Sequence, residues 1–263
     1  MEKRLNGYRI EHEHFTSARA MIETSDARDL NTWATYRNAR TREGSWEGAT
    51  WEKARDLLEN GWRAQLKQIR KGLGAPMGAP RREWSSEVVG SAPIVPRALS
   101  GEPRNMRRAR TTATAPRSVS IWLTPSASAS VDASKITQWL IANLEQVSAL
   151  EASGLRVRLG AFETFIDRRH NRKSYLVSVD LKKAEAPLSI LRVAFPAGHP
   201  AFLRRICFDW YERLPNAHNI EGYGPAFEYA NSDMKKAVSE ALGNGKIIAY
   251  PERLDASQIL KAL

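Results

Sequence analysis

A chain of 263 residues, 42% of them hydrophobic, carries enough apolar material for one large domain, or for one domain with a substantial appendage. Forty Lys and Arg against 29 Asp and Glu leave a formal net charge of +11, which favours polyanionic partners, nucleic acid first among them. The single cysteine, Cys207, excludes an internal disulfide and any multi-cysteine zinc site, and points to a reducing, cytoplasmic setting.

The first residues, Met1 to Gly7, lack the apolar core of a signal segment, and no apolar run reaches the ~18 residues of a membrane span. Residues 1 to about 43 are polar and loosely patterned, which predicts short helices or an extended arm. Glu11-His12-Glu13-His14 has the side chains of a metal tract without the spacing of a standard zinc site, so a solvated segment is expected.

A helix is predicted over 50–60. Trp51, Ala54, Leu57 and Leu58 share one face, Thr50 is placed to cap it and Gly61 to end it. A second helix fits 62–71, followed by Gly/Ala/Pro linker composition over 72–80. From 62 to 82 the charges are all basic: Arg63, Lys67, Arg70, Lys71, Arg81 and Arg82. A second basic run, Arg97, Arg104, Arg107, Arg108, Arg110 and Arg117, faces one acid, Glu102. Its Pro, Gly, Ser and Thr content predicts an extended arm whose guanidinium forks suit phosphate.

Regular periodicity begins at residue 118. Val119, Ile121 and Leu123 alternate with Ser118, Ser120 and Trp122, as in a strand. In a sheet covered on both faces Trp122 is core as well. The strand breaks into a serine ladder, Ser126, Ser128 and Ser130. A helix follows, capped by Ser130 or Asp132, carrying Ile136, Trp139, Leu140, Leu144, Val147 and Leu150 inward, and ending at Gly154. A second strand starts at Leu155 and runs towards Phe165, parallel to the first through a right-handed crossover. Past a basic turn with Arg168, Arg169, His170, Arg172 and Lys173, a third strand holds Tyr175, Val177, Val179 and Leu181. It is expected to pair as a hairpin with 158–166 and to form the one antiparallel edge of the sheet. Helices near 187–195, 202–214 and 232–242, a strand at 246–250 and a last helix capped by Asp255 complete the pattern. The order predicts an α/β fold of three layers with a mostly parallel sheet over 117–263. Residues 1–116 are expected to form a helical or extended appendage.

The core resembles the von Willebrand factor A type of domain, a Rossmann-like fold whose first strand ends in Asp-x-Ser-x-Ser, over about 117–183 and more loosely to the C terminus. The resemblance implies that Thr124, Ser126 and Ser128 stand where that family holds a divalent metal. Thr124 replaces the aspartate, and hydroxyls without a carboxylate make a poor site for a hard cation. No metal or other cofactor is therefore expected. The chain is also similar to a family of bacteriophage and mobile-element proteins that carries no assigned catalytic residues, through Leu99 to Met106, the serine-rich strand end, and Gly198 to Arg205.

The ladder lacks the Lys and glycine spacing of a P-loop, so nucleotide hydrolysis is not expected. Its hydroxyls at a helix start suit an anion or a protein partner through Thr124, Ser126, Ser128 and Ser130. His199 and Cys207 have no catalytic partner fixed by sequence. Phosphoryl transfer or hydrolysis would need a carboxylate or metal centre that the sequence does not assemble. The favoured expectation is a non-catalytic binding protein that contacts nucleic acid or a nucleoprotein assembly. Arg104, Arg107, Arg108, Arg110, Arg168, Arg169, Arg172 and Lys173 would make the contacts. The alternative is a protein-interaction or virion-associated module with a degenerate metal site. Oligomeric state is left open.

Overall fold

The computed structural model describes residues 2–5, 7–34, 48–73, 84–89, 92–109, 117–127, 131–166, 173–218, 220, 223 and 226–262. In chain order the elements are strands β1 (Glu2–Leu5) and β2 (Tyr8–Phe15), then helices α1 (Ala18–Asp26), α2 (Trp51–Asn60) and α3 (Arg63–Gly72). Next come β3 (Trp84–Glu87), β4 (Ala92–Pro93), α4 (Val95–Leu99), β5 (Met106–Ala109), β6 (Ser118–Thr124), α5 (Ala133–Ala152), β7 (Arg156–Ile166) and β8 (Lys173–Lys182). The chain ends with α6 (Ile190–Gly198), a π-helical turn (Phe202–Cys207) running into α7 (Phe208–Glu212), α8 (Ser232–Ala241), β9 (Lys246–Ala249) and α9 (Ala256–Ala262).

The main sheet has six strands in the order β1-β2-β8-β7-β6-β9. The crossover β6-α5-β7 is parallel, and β9 lies parallel to β6 on its other side. β7 and β8 form the expected antiparallel pair, with a register shift between Leu159 and Gly160. The fold is thus α/β with a mixed sheet. α5 forms because Asp132 accepts from the amide of Ser134 at its start and because its apolar residues recur at helical spacing. Thr50 and Asn231 cap α2 and α8 in the same way.

Two expectations are corrected. β8 is not an edge strand: β2 pairs with it in parallel from Arg9↔Lys173 to Phe15↔Val179, and β1 lies outside β2. The N-terminal residues are therefore part of the sheet, which draws strands from both sides of position 116. Their strand character is masked because the middle of β2 is polar on both faces. Those polar groups are satisfied by partners far away in sequence, as when Glu13 accepts from Arg28 and from the Trp210 indole. The second correction concerns the arginine run. It is not an irregular arm throughout: Arg97 lies in α4, and Arg107 and Arg108 lie in β5, the middle strand of a small sheet ordered β3-β5-β4.

Each face of the main sheet carries a hydrophobic cluster. One hydrophobic cluster packs Ile121, Leu123, Val157, Leu159 and Val177 against α1, α5, α6 and α7, with Ala54 of α2 and Ile69 of α3 in the same cluster. A second, on the opposite face, packs Tyr8, Ile10, Trp122, Phe162 and Leu176 against Met234, Ala237 and Val238 of α8. Trp122 is core, as its strand phase requires, and its indole N–H donates to the Leu242 carbonyl at 3.1 Å. Neither cluster contains a residue between 84 and 109.

Trp122 fits because two glycines make room for it. A Cβ on Gly160 would lie 2.1 Å from the Trp122 ring, and one on Gly245 would lie 2.7 Å from it. Gly160→Ala should therefore destabilise the protein by about 1–3 kcal/mol through overpacking. Urea unfolding of the two proteins measures this, and equal stability would contradict the tight slot.

Candidate functional site

The carboxyl end of β6 lies where the chain leaves towards β7 on one side and receives β9 on the other. In an open α/β sheet this is the position at which ligands enter. Thr124 ends β6, and its carbonyl accepts from the amide of Tyr250 just after β9. Its side chain bridges two groups. The Thr124 hydroxyl donates to Oε1 of Glu163 at 2.5 Å, and Thr124 Oγ1 accepts from the backbone amide of Ser126 at 3.2 Å.

Glu163 is the carboxylate that the sequence did not assemble at this loop. It comes from β7, one strand over, and is 2% exposed. Burial pushes its carboxyl up to about 7; hydrogen bonds from Thr124, Ser126 and the Thr164 backbone, with the positive charge of Arg204, oppose that rise. Arg204 and Arg205 are themselves buried in the π-helical turn, where Arg205 donates to the Ala49 carbonyl at 2.8 Å. π-Helical turns concentrate at functional positions because the widened turn re-aims its side chains. Glu163 was missed although a signal existed. A single acid stands inside the apolar run Ala161-Phe162-Glu163-Thr164-Phe165, where a charge requires a partner.

The four predicted hydroxyl positions are distributed unequally. Thr124 and Ser126 are buried and engaged with Glu163, whereas Ser128 and Ser130 lie outside the described residues. Among the described residues there is no group of three or more His, Cys, Asp or Glu placed to hold a metal ion. Cys207 is fully buried, and burial together with the Glu163 charge pushes its thiol well up, which disfavours a thiolate. His199 is pushed down to about 4 by burial, and its Nδ1 accepts from the Ala201 amide at 3.0 Å, orienting the chain into the π-helical turn.

The predicted basic contacts also divide. Arg104 and Arg107 are exposed beside and on β5, and Arg108 pairs by register with Ser85. Arg110, Arg168, Arg169 and Arg172 lie outside the described residues. Lys173 is tied down: its ammonium is 3.3 Å from Glu11 and lies over the Tyr175 ring. The described part of the first basic run forms one surface, and Arg81 and Arg82 lie outside the described residues. Arg63, Lys67, Arg70 and Lys71 are all exposed on α3, at the i, i+4, i+7, i+8 spacing of one helix face, and α3 carries no acid. Ile69 and Leu73 anchor the helix from the other side. A further polar cluster, His12, His14, Arg158, Ser178 and Asp180, gathers on the α8 side of the sheet. No sequence signal joined these residues, because three separate strands supply them.

The Glu163 carboxyl gives a pH test. In the unfolded chain it titrates near its ordinary value of 4.5, and in the folded protein near about 7. The folded state therefore holds a proton that the unfolded chain releases. The resulting stability is fully present below about 4.5 and is lost as pH rises through about 7. The shift corresponds to about 3 kcal/mol. Glu163→Gln should remove this component, so its unfolding free energy should fall by less than that of the parent over the same interval. Denaturant titrations across the interval check the difference, and identical pH dependence in the two proteins would contradict it.

No curated protein and no solved structure matches the chain. Residues 3–242 match the family model described as "Domain of unknown function (DUF7192)", a span that takes in β2, the basic helix α3, the small sheet, Thr124 and Glu163. The chain belongs to that family.

Proposed function

We propose that this chain is a non-catalytic binding protein that contacts nucleic acid, alone or in a nucleoprotein assembly, through its basic surfaces. The observation that carries the reading is the exposed face of α3, where Arg63, Lys67, Arg70 and Lys71 stand together without an acid on the helix. Such a stripe contacts phosphates without reading sequence. The exposed Arg104 and Arg107 of the small-sheet region add a second set of forks, and the net charge of +11 gives long-range attraction. Arg108, Arg110, Arg168, Arg169, Arg172 and Lys173 remain part of the proposed contact set.

The finer reading of the core, as von Willebrand factor A-like or Rossmann-like, is supported by the β6-α5-β7 crossover, the parallel β9 and the hydroxyl-rich strand end. A bacteriophage or mobile-element origin, with action in the host cytoplasm, belongs to the same proposal and rests on the sequence resemblance.

One observation favours a second reading, docking of a protein partner or a virion component. Val88, Val89, Val95 and Leu99 are exposed large apolar residues, Leu99 at 84%, and all sit in the small-sheet region outside both cores.

Labelled DNA and RNA oligonucleotides titrated at several salt concentrations separate the readings. Lys67→Glu/Arg70→Glu and Arg104→Glu/Arg107→Glu should each weaken binding, and each removed contact should lower the slope of log K against log salt by about one. Binding untouched by both double variants would overturn the nucleic-acid reading. A protein complex stable in high salt, with no nucleic-acid binding, would favour the second.

A further inference from the structure

The α8 face of the main sheet is only partly covered. α8 packs over Tyr8, Ile10, Leu176, Phe162 and Trp122, but the described residues leave one corner polar and open. Arg117, Ser118 and Arg156 are exposed there, at the amino ends of β6 and β7. Ser118 pairs with Arg156 and Ser120 with Arg158 across these strands. His12 and His14 come from the carboxyl end of β2, and Ser178 and Asp180 from β8.

The corner is wired with defined geometry. Ser178, 1% exposed, places its hydroxyl 2.8 Å from His12 Nε2 and 2.9 Å from His14 Nδ1. A hydroxyl has one proton, so at most one imidazole accepts from it and at least one donates to it. Both rings are thereby fixed, and His14 Nε2 is left facing Arg158, at 3.3 Å, and Asp180 Oδ2, at 3.4 Å. Arg158 donates to Asp180 Oδ1 through Nε at 2.9 Å and through Nη2 at 2.8 Å. Its guanidinium lies 5.3 Å from the centre of the Trp122 ring, against which His14 sits edge-on.

This arrangement disfavours two other uses. Ser178 is too buried to attack a substrate. A metal ion would meet the Arg158 cation beside His14 Nε2, and no three-ligand group exists among the described residues. An anion fits better. Arg156 and Arg158, with the exposed Arg117, outweigh Asp180.

We propose that this open corner binds phosphate groups of a nucleic-acid strand, with Arg156 and Arg158 as the contacting side chains and His14 beside Arg158 as the group that senses the bound strand. Ser178, Asp180 and Trp122 act as positioning residues that hold Arg158 and His14 in place. Arg117, the last arginine of the run, is exposed at the start of β6 and adds its charge to the corner. This inference rests on the nucleic-acid reading above and adds a second contact surface to it.

The test uses the full chain with inorganic phosphate, a mononucleotide and a labelled single-stranded oligonucleotide. Binding is read by anisotropy and by the imidazole resonances of His12 and His14. The oligonucleotide should shift His14. Arg156→Glu should weaken its binding about tenfold and lower the salt slope by about one. Ser118→Arg, which adds a charge beside Arg156 at an exposed position, should tighten binding, an outcome that misfolding cannot mimic. An oligonucleotide that binds with His14 unmoved and with no response to either variant overturns the corner while the α3 reading stands. Phosphate or mononucleotide that shifts His14 in a chain binding no oligonucleotide overturns both the strand as ligand and the nucleic-acid reading.

Discussion

Strand β2 lies between β1 and β8 over Arg9–Glu11 and against β8 alone beyond that, and its partly buried polar side chains, left unbonded, would weaken the ladder. The molecule bonds them from every direction. Arg28 and Trp210 hold Glu13 on one face, Ser178 holds both imidazoles on the other, and Lys173 pairs with Glu11 at the start of β8. These bonds fasten the N terminus to β8, make β8 an interior strand, and bring α1 over the sheet. They also build the polar corner.

The same logic governs the strand end at Thr124. A carboxylate at this position would face Glu163 at hydrogen-bond distance, and two acids there would repel. A hydroxyl donates instead, and at the same time accepts from the Ser126 amide. The absence of aspartate from the loop and the presence of glutamate on the next strand are thus two sides of one arrangement. The result is a closed junction in which Thr124 of β6 is hydrogen-bonded to Glu163 of β7, under the positive charge of Arg204 from the π-helical turn.

Much of this was legible in the residues. Val119, Ile121 and Leu123, the α5 apolar series and the caps at Thr50, Asp132 and Asn231 identify elements by local rules, and the structure has them there. What was not legible depends on distant pairing. β2 shows no apolar alternation in its middle, so its place in the sheet follows only from residues more than 160 positions away. Glu163 was visible as an odd acid in an apolar run, but its partner Thr124 lies 39 residues earlier. The arginine run was legible as charge, not as a strand, because Gly and Pro around it mask the short ladder of β5.

The small sheet has a consequence for how the molecule moves. Its ladders are short, its large apolar side chains face outward, and neither hydrophobic cluster reaches it. Its amides should therefore exchange with solvent through local opening, at a free-energy cost far below that of unfolding the main sheet. Residues 84–89 and 92–109 are thus expected to open locally before β6, β7 and β8 do. A surface of that kind adapts to what it meets, and the ordering cost falls on binding rather than on folding.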